Sequence, residues 1–293
     1  MSRKKARNLL LILFALIFVG TLIVVGWRLL DYRRGDQDYD QAEKLVKLPD
    51  LNSLPSPTIP LPDNTPIPSS PAQNDEAVSP ADSSVSADPV PTESASAQPT
   101  YVDPYADIWA AMDFAALREV NPDVIGWIMV PGTPICYPLL QGEDNEYYLN
   151  HMWHRGGGSV GSIFLECQND PGLTDFHTLI YGHRMVNGSM FSALKNYTTL
   201  SYWQSAPSVY ITTDEGTARY DIFAAYEAAV DSLTYQIFFS GTKSMQTFLD
   251  SCLDRSVIDT GIVPTPDDSV ITLSTCTGNG YDTRWVVQAV RKG

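Results

Sequence analysis

Thr272-Leu273-Ser274-Thr275-Cys276, resumed after a short polar loop by Arg284-Trp285-Val286-Val287-Gln288-Ala289-Val290, decides how the rest of the chain is read. From Val270 onward the residues alternate. Ile271 and Leu273 share one face of a strand, and Thr272, Ser274 and Cys276 share the other. The intervening Thr277-Gly278-Asn279-Gly280-Tyr281-Asp282-Thr283 is rich in turn residues, so the two runs form a hairpin with Cys276 and Arg284 facing each other across its mouth. Directly opposed residues of an antiparallel pair have Cβ atoms roughly 5 Å apart. A guanidinium at that distance favours thiolate over thiol and can also hold a developing oxyanion. The plainer alternative is a buried structural cysteine beside a surface arginine. The polar company of the thiol and its place at a strand end favour the reactive reading.

A nucleophilic cysteine needs a proton partner, and one of the four histidines repeats its setting. Thr178-Leu179-Ile180-Tyr181-Gly182-His183 is a short alternating strand that ends in Gly-His, which places His183 at a strand end as well. His177 precedes that strand. His151 and His154 have a spacing that could ligate a metal from a helix, but a third ligand is missing nearby and a solvated loop is the expectation.

Tyr181-Gly182-His183, Thr272 to Cys276 and Arg284 together resemble the catalytic set of the sortases, cysteine transpeptidases of the Gram-positive cell surface. Asn121-Pro-Asp-Val-Ile-Gly-Trp-Ile128, Ile135 to Gln141, Asp144 to Leu149, Gly161-Ser-Ile-Phe164 and Gly188-Ser-Met-Phe191 resemble, in order, the blocks of class B sortases. The resemblance covers about residues 105 to 291. It implies His183, Cys276 and Arg284 as catalytic residues, and Asn145 and Leu149 on positions that contact a sorting peptide. Tyr235 lies near a further contact position, and Ser274, beside the thiol on the same face, is expected to line the pocket.

The composition is ordinary for a globular protein except for 21 prolines, which are not spread evenly. A formal net charge of -15 argues against a nucleic-acid partner, which would need a basic face. Residues 1–8 form a basic tail. Leu9 to Trp27 is uncharged and long enough to cross a bilayer as a helix, so residues 9–30 are expected to be an uncleaved single-pass membrane anchor. Arg28, Arg33, Arg34, Lys44 and Lys47 follow it and compete with the basic tail in setting orientation. The catalytic domain is placed outside the cell membrane because the implied chemistry belongs there. Residues 31–100 are read as a linker, Pro/Ser/Ala-rich from about Lys47, that cannot bury enough apolar area to order itself. Residues 101–293 are the catalytic domain.

Within that domain Tyr105 to Val120 carries Ile108, Trp109, Met112, Ala116 and Leu117 at helical spacing, matching the N-terminal helix that the resemblance implies. Strands follow at Val124–Val130, Ile135–Tyr137, Gly161–Glu166, Thr178–His183, Val209–Thr213 and Ala218–Tyr226. Asp144–Leu149 is expected to be helical, Ser189 to cap a short helix through Leu194, and Ser244–Leu253 to form a helix inserted before the catalytic strand. Cys136, Cys167 and Cys252 read as small buried hydrophobes, with a Cys136–Cys167 bridge as the minor alternative. The resulting fold class is mainly β: an eight-stranded, mostly antiparallel sortase barrel with an N-terminal helix and a helical insertion.

The resemblance implies a reaction without metal or organic cofactor. Cys276 attacks a carbonyl in the C-terminal sorting signal of a secreted protein. His183 protonates the leaving amine and then takes a proton from the incoming one, which belongs to a cell-wall precursor or a pilin. Arg284 stabilises the oxyanion. The sequence names no carboxylate that orients His183, and Asp282 is considered only for its nearness. Rival readings are a cysteine hydrolase of the cell envelope and a non-catalytic, membrane-tethered binding domain. The compact His-before-Cys motif of an L,D-transpeptidase is absent.

Overall fold

In the computed structural model, residues 3–46, 48, 105, 112–278, 280 and 282–292 are described. Eight strands close on themselves: β1 (Val124–Met129), β2 (Cys136–Gln141), β3 (Ile163–Leu165), β4 (His177–Tyr181), β5 (Ser208–Thr213), β6 (Gly216–Ala229), β7 (Val270–Cys276) and β8 (Thr283–Lys292). Their order around the barrel is β1-β2-β3-β4-β7-β8-β6-β5. Six of the neighbouring pairs are antiparallel, whereas β2–β3 and β4–β7 are parallel. Closure leaves the barrel without an unpaired sheet edge.

The alternation in β7 sorts its side chains between two apolar layers. Ile271 and Leu273 join Val287 and Ala289 of β8 in the barrel interior. Val270, Val286 and Val290 point outward, under Phe248, Leu249 and Cys252 of the inserted helix. That helix runs Thr242–Arg255, longer than the expected Ser244–Leu253. Its cover explains why Thr272 and Ser274, on the polar face, are nevertheless buried. Buried polar atoms need partners. Thr272 receives Gln288 Nε2 at 2.9 Å and meets His177 Nε2 at 2.7 Å, while Ser274 Oγ meets Tyr235 OH at 2.9 Å.

The chain before the barrel departs from expectation. A helix, α1, spans Arg3–Val46 and so continues well past residue 30. Residues 31–46 are therefore helix rather than linker; Tyr39, Ala42 and Val46 are buried, and α1 and the barrel belong to one compact unit. The spacing of those three residues is the i, i+3, i+7 stripe of a packed helix face. The Pro-rich stretch from 49 to 104 lies outside the described residues. Among the described residues no helix is long and apolar enough to cross a membrane. The side chains of Leu9 and Leu10, with which the uncharged run begins, lie outside the described residues, and the described part of the run is correspondingly short.

Of the helix expected over Tyr105–Val120, α2 (Ala115–Val120) is present; Ile108 and Trp109 lie outside the described residues. Tyr105 is buried edge-on against Tyr210 of β5, with centroids 5.2 Å apart. Asp144–Leu149 is not a regular helix. Asp144 Oδ1 accepts from the amides of Glu146 and Tyr147, forming a turn that leads into one 3₁₀ turn, Tyr147–Leu149. Ser189 does not cap the 3₁₀ helix Phe191–Asn196: its hydroxyl donates to Asn187 at 2.7 Å, and Met190 stands at the N-terminus with φ 55°. A short helix, α3 (Leu200–Ser205), is capped instead by Thr199, whose side chain accepts from Tyr202.

Candidate active site

Strand register brings the candidate residues together. In the parallel β4–β7 ladder Tyr181 pairs with Ser274, and the next amide, Gly182 N–H, donates to the Ser274 carbonyl at 3.1 Å. Two residues beyond that pair on each strand stand His183 and Cys276, leaving the sheet side by side because the strands run the same way. The antiparallel β7–β8 ladder ends on Cys276 paired with Arg284. One parallel and one antiparallel neighbour of a single strand thus place an imidazole and a guanidinium on either side of the thiol.

The backbone around His183 is tightly specified. Any Cβ at Gly182 would approach the Phe191 ring to 2.7 Å, and Phe191 N–H donates to the His183 carbonyl at 2.9 Å. The imidazole Nε2 lies 2.7 Å from the Leu149 carbonyl. A carbonyl only accepts, so Nε2 carries a proton, leaving Nδ1 as the nitrogen available to the thiol. The group that orients His183 is therefore a backbone carbonyl. Asp282 is exposed, and its own carbonyl accepts from Val230.

The electrostatics of the pair run in opposite directions. The Cys276 thiol is held below its ordinary range, first by its hydrogen bond to His183, against burial, and further by Arg284 and Arg184. The His183 imidazole is raised, chiefly by the same bond to Cys276 and also by the Leu149 carbonyl, while burial and Arg284 oppose. Both shifts favour thiolate beside imidazolium. The other cysteines move the opposite way. Burial pushes Cys136 up to about 12 and Cys252 up to about 11, and burial with the neighbouring Glu166 raises Cys167. All four thiols are free, so the Cys136–Cys167 bridge is not formed. Cys167 is partly exposed and follows β3, a correction to its reading as a buried strand residue.

A polar cluster adjoins the site. Glu166, 6 % exposed, accepts Asn145 Nδ2 on both oxygens at 2.7 Å and Tyr181 OH at 2.8 Å. Asn145 Oδ1 in turn accepts the Cys167 amide at 2.9 Å. Both ends of the Asn145 amide are thus engaged within the fold. The Leu149 side chain packs against the core while its carbonyl holds His183. Tyr235, in the 3₁₀ turn Leu233–Tyr235, stands against Ser274 and within electrostatic reach of Cys276 and Arg284. Arg184, Gly161 and Glu166 complete the surroundings and were not singled out from sequence for the site, and Tyr181 was quoted there only beside His183. Arg184 donates to the Thr277 carbonyl, bridging the ends of β4 and β7. Among the described residues no group of three His, Cys, Asp or Glu side chains could hold a metal ion.

A sortase domain model matches residues 128–292, which spans every residue of the Cys276–His183–Arg284 arrangement and more than half of the chain. The chain belongs to the sortase family. Sortase B of Listeria monocytogenes is 35% identical over 176 residues, covering 59% of this chain and 71% of that protein. A Staphylococcus aureus sortase B–substrate complex superposes with a TM-score of 0.58 at 31% identity, over 61% of this chain and 84% of that one. A sortase B structure complexed with triglycine gives the same TM-score and identity, over 61% of this chain and 85% of that one. These likenesses assign the chain to class B, with the eight-stranded barrel expected of it, and make it a cysteine transpeptidase.

Proposed function

We propose that this sortase is tethered to the outer face of a cell membrane and joins secreted proteins to an amine of the cell-wall precursor or of a pilin. Cys276 is the nucleophile. As thiolate it attacks a backbone carbonyl within a C-terminal sorting signal, and the C–N bond of that peptide breaks to leave a thioacyl enzyme. His183 delivers its proton to the leaving amine, then removes one from the incoming amine as the new amide C–N bond forms and the thioester C–S bond breaks, returning Cys276 as thiolate. Arg284 stabilises the negative charge on the carbonyl oxygen in both tetrahedral intermediates. Tyr235 and Ser274 form a wall beside the thiol against which the peptide lies, and Leu149 contributes through its partly exposed side chain. Asn145 acts indirectly, by shaping the turn that carries Leu149.

The observation that carries this reading is the thiol flanked by His183 and Arg284, the one cysteine of four whose acidity is enhanced. The S. aureus complex with substrate and the sortase B complex with triglycine support a peptide donor and an amine acceptor for a barrel of this kind. The membrane tether is supported by α1. Phe14, Phe18 and Trp27 are 69%, 64% and 75% exposed, and between Leu11 and Val25 the side chains are apolar around the helix except Thr21, whose hydroxyl donates to the Ile17 carbonyl. Such a helix loses the benefit of apolar burial in water and regains it in lipid.

The test is intact mass measurement of the full chain in detergent micelles, incubated with sorting-signal peptides bearing proline-threonine-glycine or asparagine-rich cores. An acyl adduct that appears with one peptide class and is lost in Cys276→Ala is the expected outcome, and released peptide acid without transfer to an added amine would instead indicate a hydrolase. A folded protein with a free Cys276 that acquires no adduct from any peptide overturns the proposal.

A further inference from the structure

The part of α1 that meets the barrel rests on the backbone behind His183. Tyr39 is 6 % exposed and donates its phenol to the Gly161 carbonyl at 2.6 Å. Its ring stands edge-on to Tyr137, centroids 5.1 Å apart. Gly161 has φ 61°, in the left-handed region. A Cβ there would lie 2.7 Å from the Leu149 carbonyl oxygen and 2.9 Å from His183 Cδ2. The Leu149 oxygen is also the acceptor for His183 Nε2. The phenol, the Gly161 peptide and the imidazole with its acceptor are thus in continuous contact.

Of the two hydrogen bonds made by Gly161 itself, the one from Tyr39 is the shorter. The Gly161 N–H reaches the Gly158 carbonyl only at 3.3 Å. A neighbouring contact helps to hold Tyr39 in place: Trp153 Nε1 donates to the Asp38 carbonyl at 2.9 Å.

We propose that Tyr39 is a positioning residue for His183: by fixing the Gly161 peptide it keeps the imidazole on the Leu149 carbonyl, with its other nitrogen presented to Cys276. The proposal rests on the reading of His183 as the proton partner of Cys276. On this view the helix leading from the membrane is part of what holds the reacting groups in register, and a chain cut after the Pro-rich linker keeps the barrel but holds His183 less firmly.

The experiment follows alkylation of Cys276 by iodoacetamide against pH in the full chain in detergent micelles, resolved from the other thiols by peptide mass mapping. It needs no knowledge of the sorting signal. His183→Gln is expected to move the Cys276 profile to higher pH, since the hydrogen bond that most lowers the thiol is altered. Tyr39→Phe, which keeps the ring and its packing, is expected to move it the same way by less, with alkylation at neutral pH roughly threefold slower. The Tyr39→Phe shift should vanish in the His183→Gln background. Val46→Ala, which loosens α1 without touching Gly161, should leave the profile in place. A Tyr39→Phe profile that superimposes on the wild type overturns the proposal, even if its Tm falls. So does a shift that persists without His183, or an equal shift in Val46→Ala. If His183→Gln itself leaves the profile unmoved, the reading of His183 fails and Tyr39 loses its role with it.

Discussion

Cys276 and Arg284 are direct partners on the last rung of the β7–β8 ladder. The guanidinium therefore acts on both titrating groups of the site, and in the same sense: it lowers the Cys276 thiol and lowers the His183 imidazole. Removing it lets both rise. Arg284→Gln should shift both the acid and the alkaline limb of the kcat/KM profile to higher pH, and loss of the oxyanion contact proposed for Arg284 should reduce kcat/KM by roughly 10²–10³. A profile whose limbs stay fixed while the rate falls would confine Arg284 to binding.

The four cysteines differ enough to be ranked by reactivity. Thiolate is the nucleophile, and Cys276 alone is shifted toward it. Alkylation at neutral pH should modify Cys276 first, partly exposed Cys167 later, and buried Cys252 and Cys136 only after unfolding. Mass mapping over time checks the order. Early labelling of Cys167 ahead of Cys276 would contradict the charge balance drawn for the site.

Asn145 separates a structural role from a peptide contact. Its amide holds both oxygens of the buried Glu166 and the Cys167 backbone. Asn145→Ala leaves a buried carboxylate short of donors and should cost about 1–3 kcal/mol of stability. Chemical denaturation measures that directly. An unchanged unfolding midpoint combined with a raised KM would return Asn145 to the peptide surface.

His177 links β4 to β7 and to Gln236, which follows the 3₁₀ turn Leu233–Tyr235. It is wholly buried, with Nδ1 donating to the Gln236 carbonyl at 2.7 Å and Nε2 accepting from Thr272. Burial depresses it from 6.5 to about 4. A depressed imidazole favours folding above the unfolded value and ceases to do so as pH falls through the folded one, so its share of stability is lost between pH 6.5 and about 4. The urea midpoint of the wild type should fall more steeply across that window than that of His177→Gln. Parallel curves would show that His177 carries none of the dependence.

What the sequence made legible here was whatever leaves a side-chain pattern. The alternation of β7, the turn residues after it and the Gly-His ending of β4 locate Cys276, Arg284 and His183 before any coordinates are considered. The Leu149 carbonyl that orients His183 has no such signature, because every residue carries the same carbonyl and only the fold decides which one meets the imidazole. Glu166 was invisible for a related reason: its partners Asn145 and Tyr181 are distant in the chain and polar in composition. The extension of α1 to Val46 was readable in principle. Tyr39, Ala42 and Val46 form a stripe, but they sit among Asp, Gln, Glu and Lys, and the charge density masked it. The 3₁₀ turn at Tyr147 shows local competition, with the Asp144 carboxylate taking amides that a regular helix would have used differently.

The parallel pairing of β4 with β7 also sets an order of events during biosynthesis. His177 and Thr272, which meet across it, are 95 residues apart in sequence, and contacts of such separation are late and slow to form because a long loop must close first. A chain emerging from the N-terminus carries His183 long before the strand that bears Cys276 exists. A chain that stops before Arg284 therefore lacks both the strand that closes the barrel and the guanidinium paired with Cys276, so the setting of the thiol is completed only with the final hairpin.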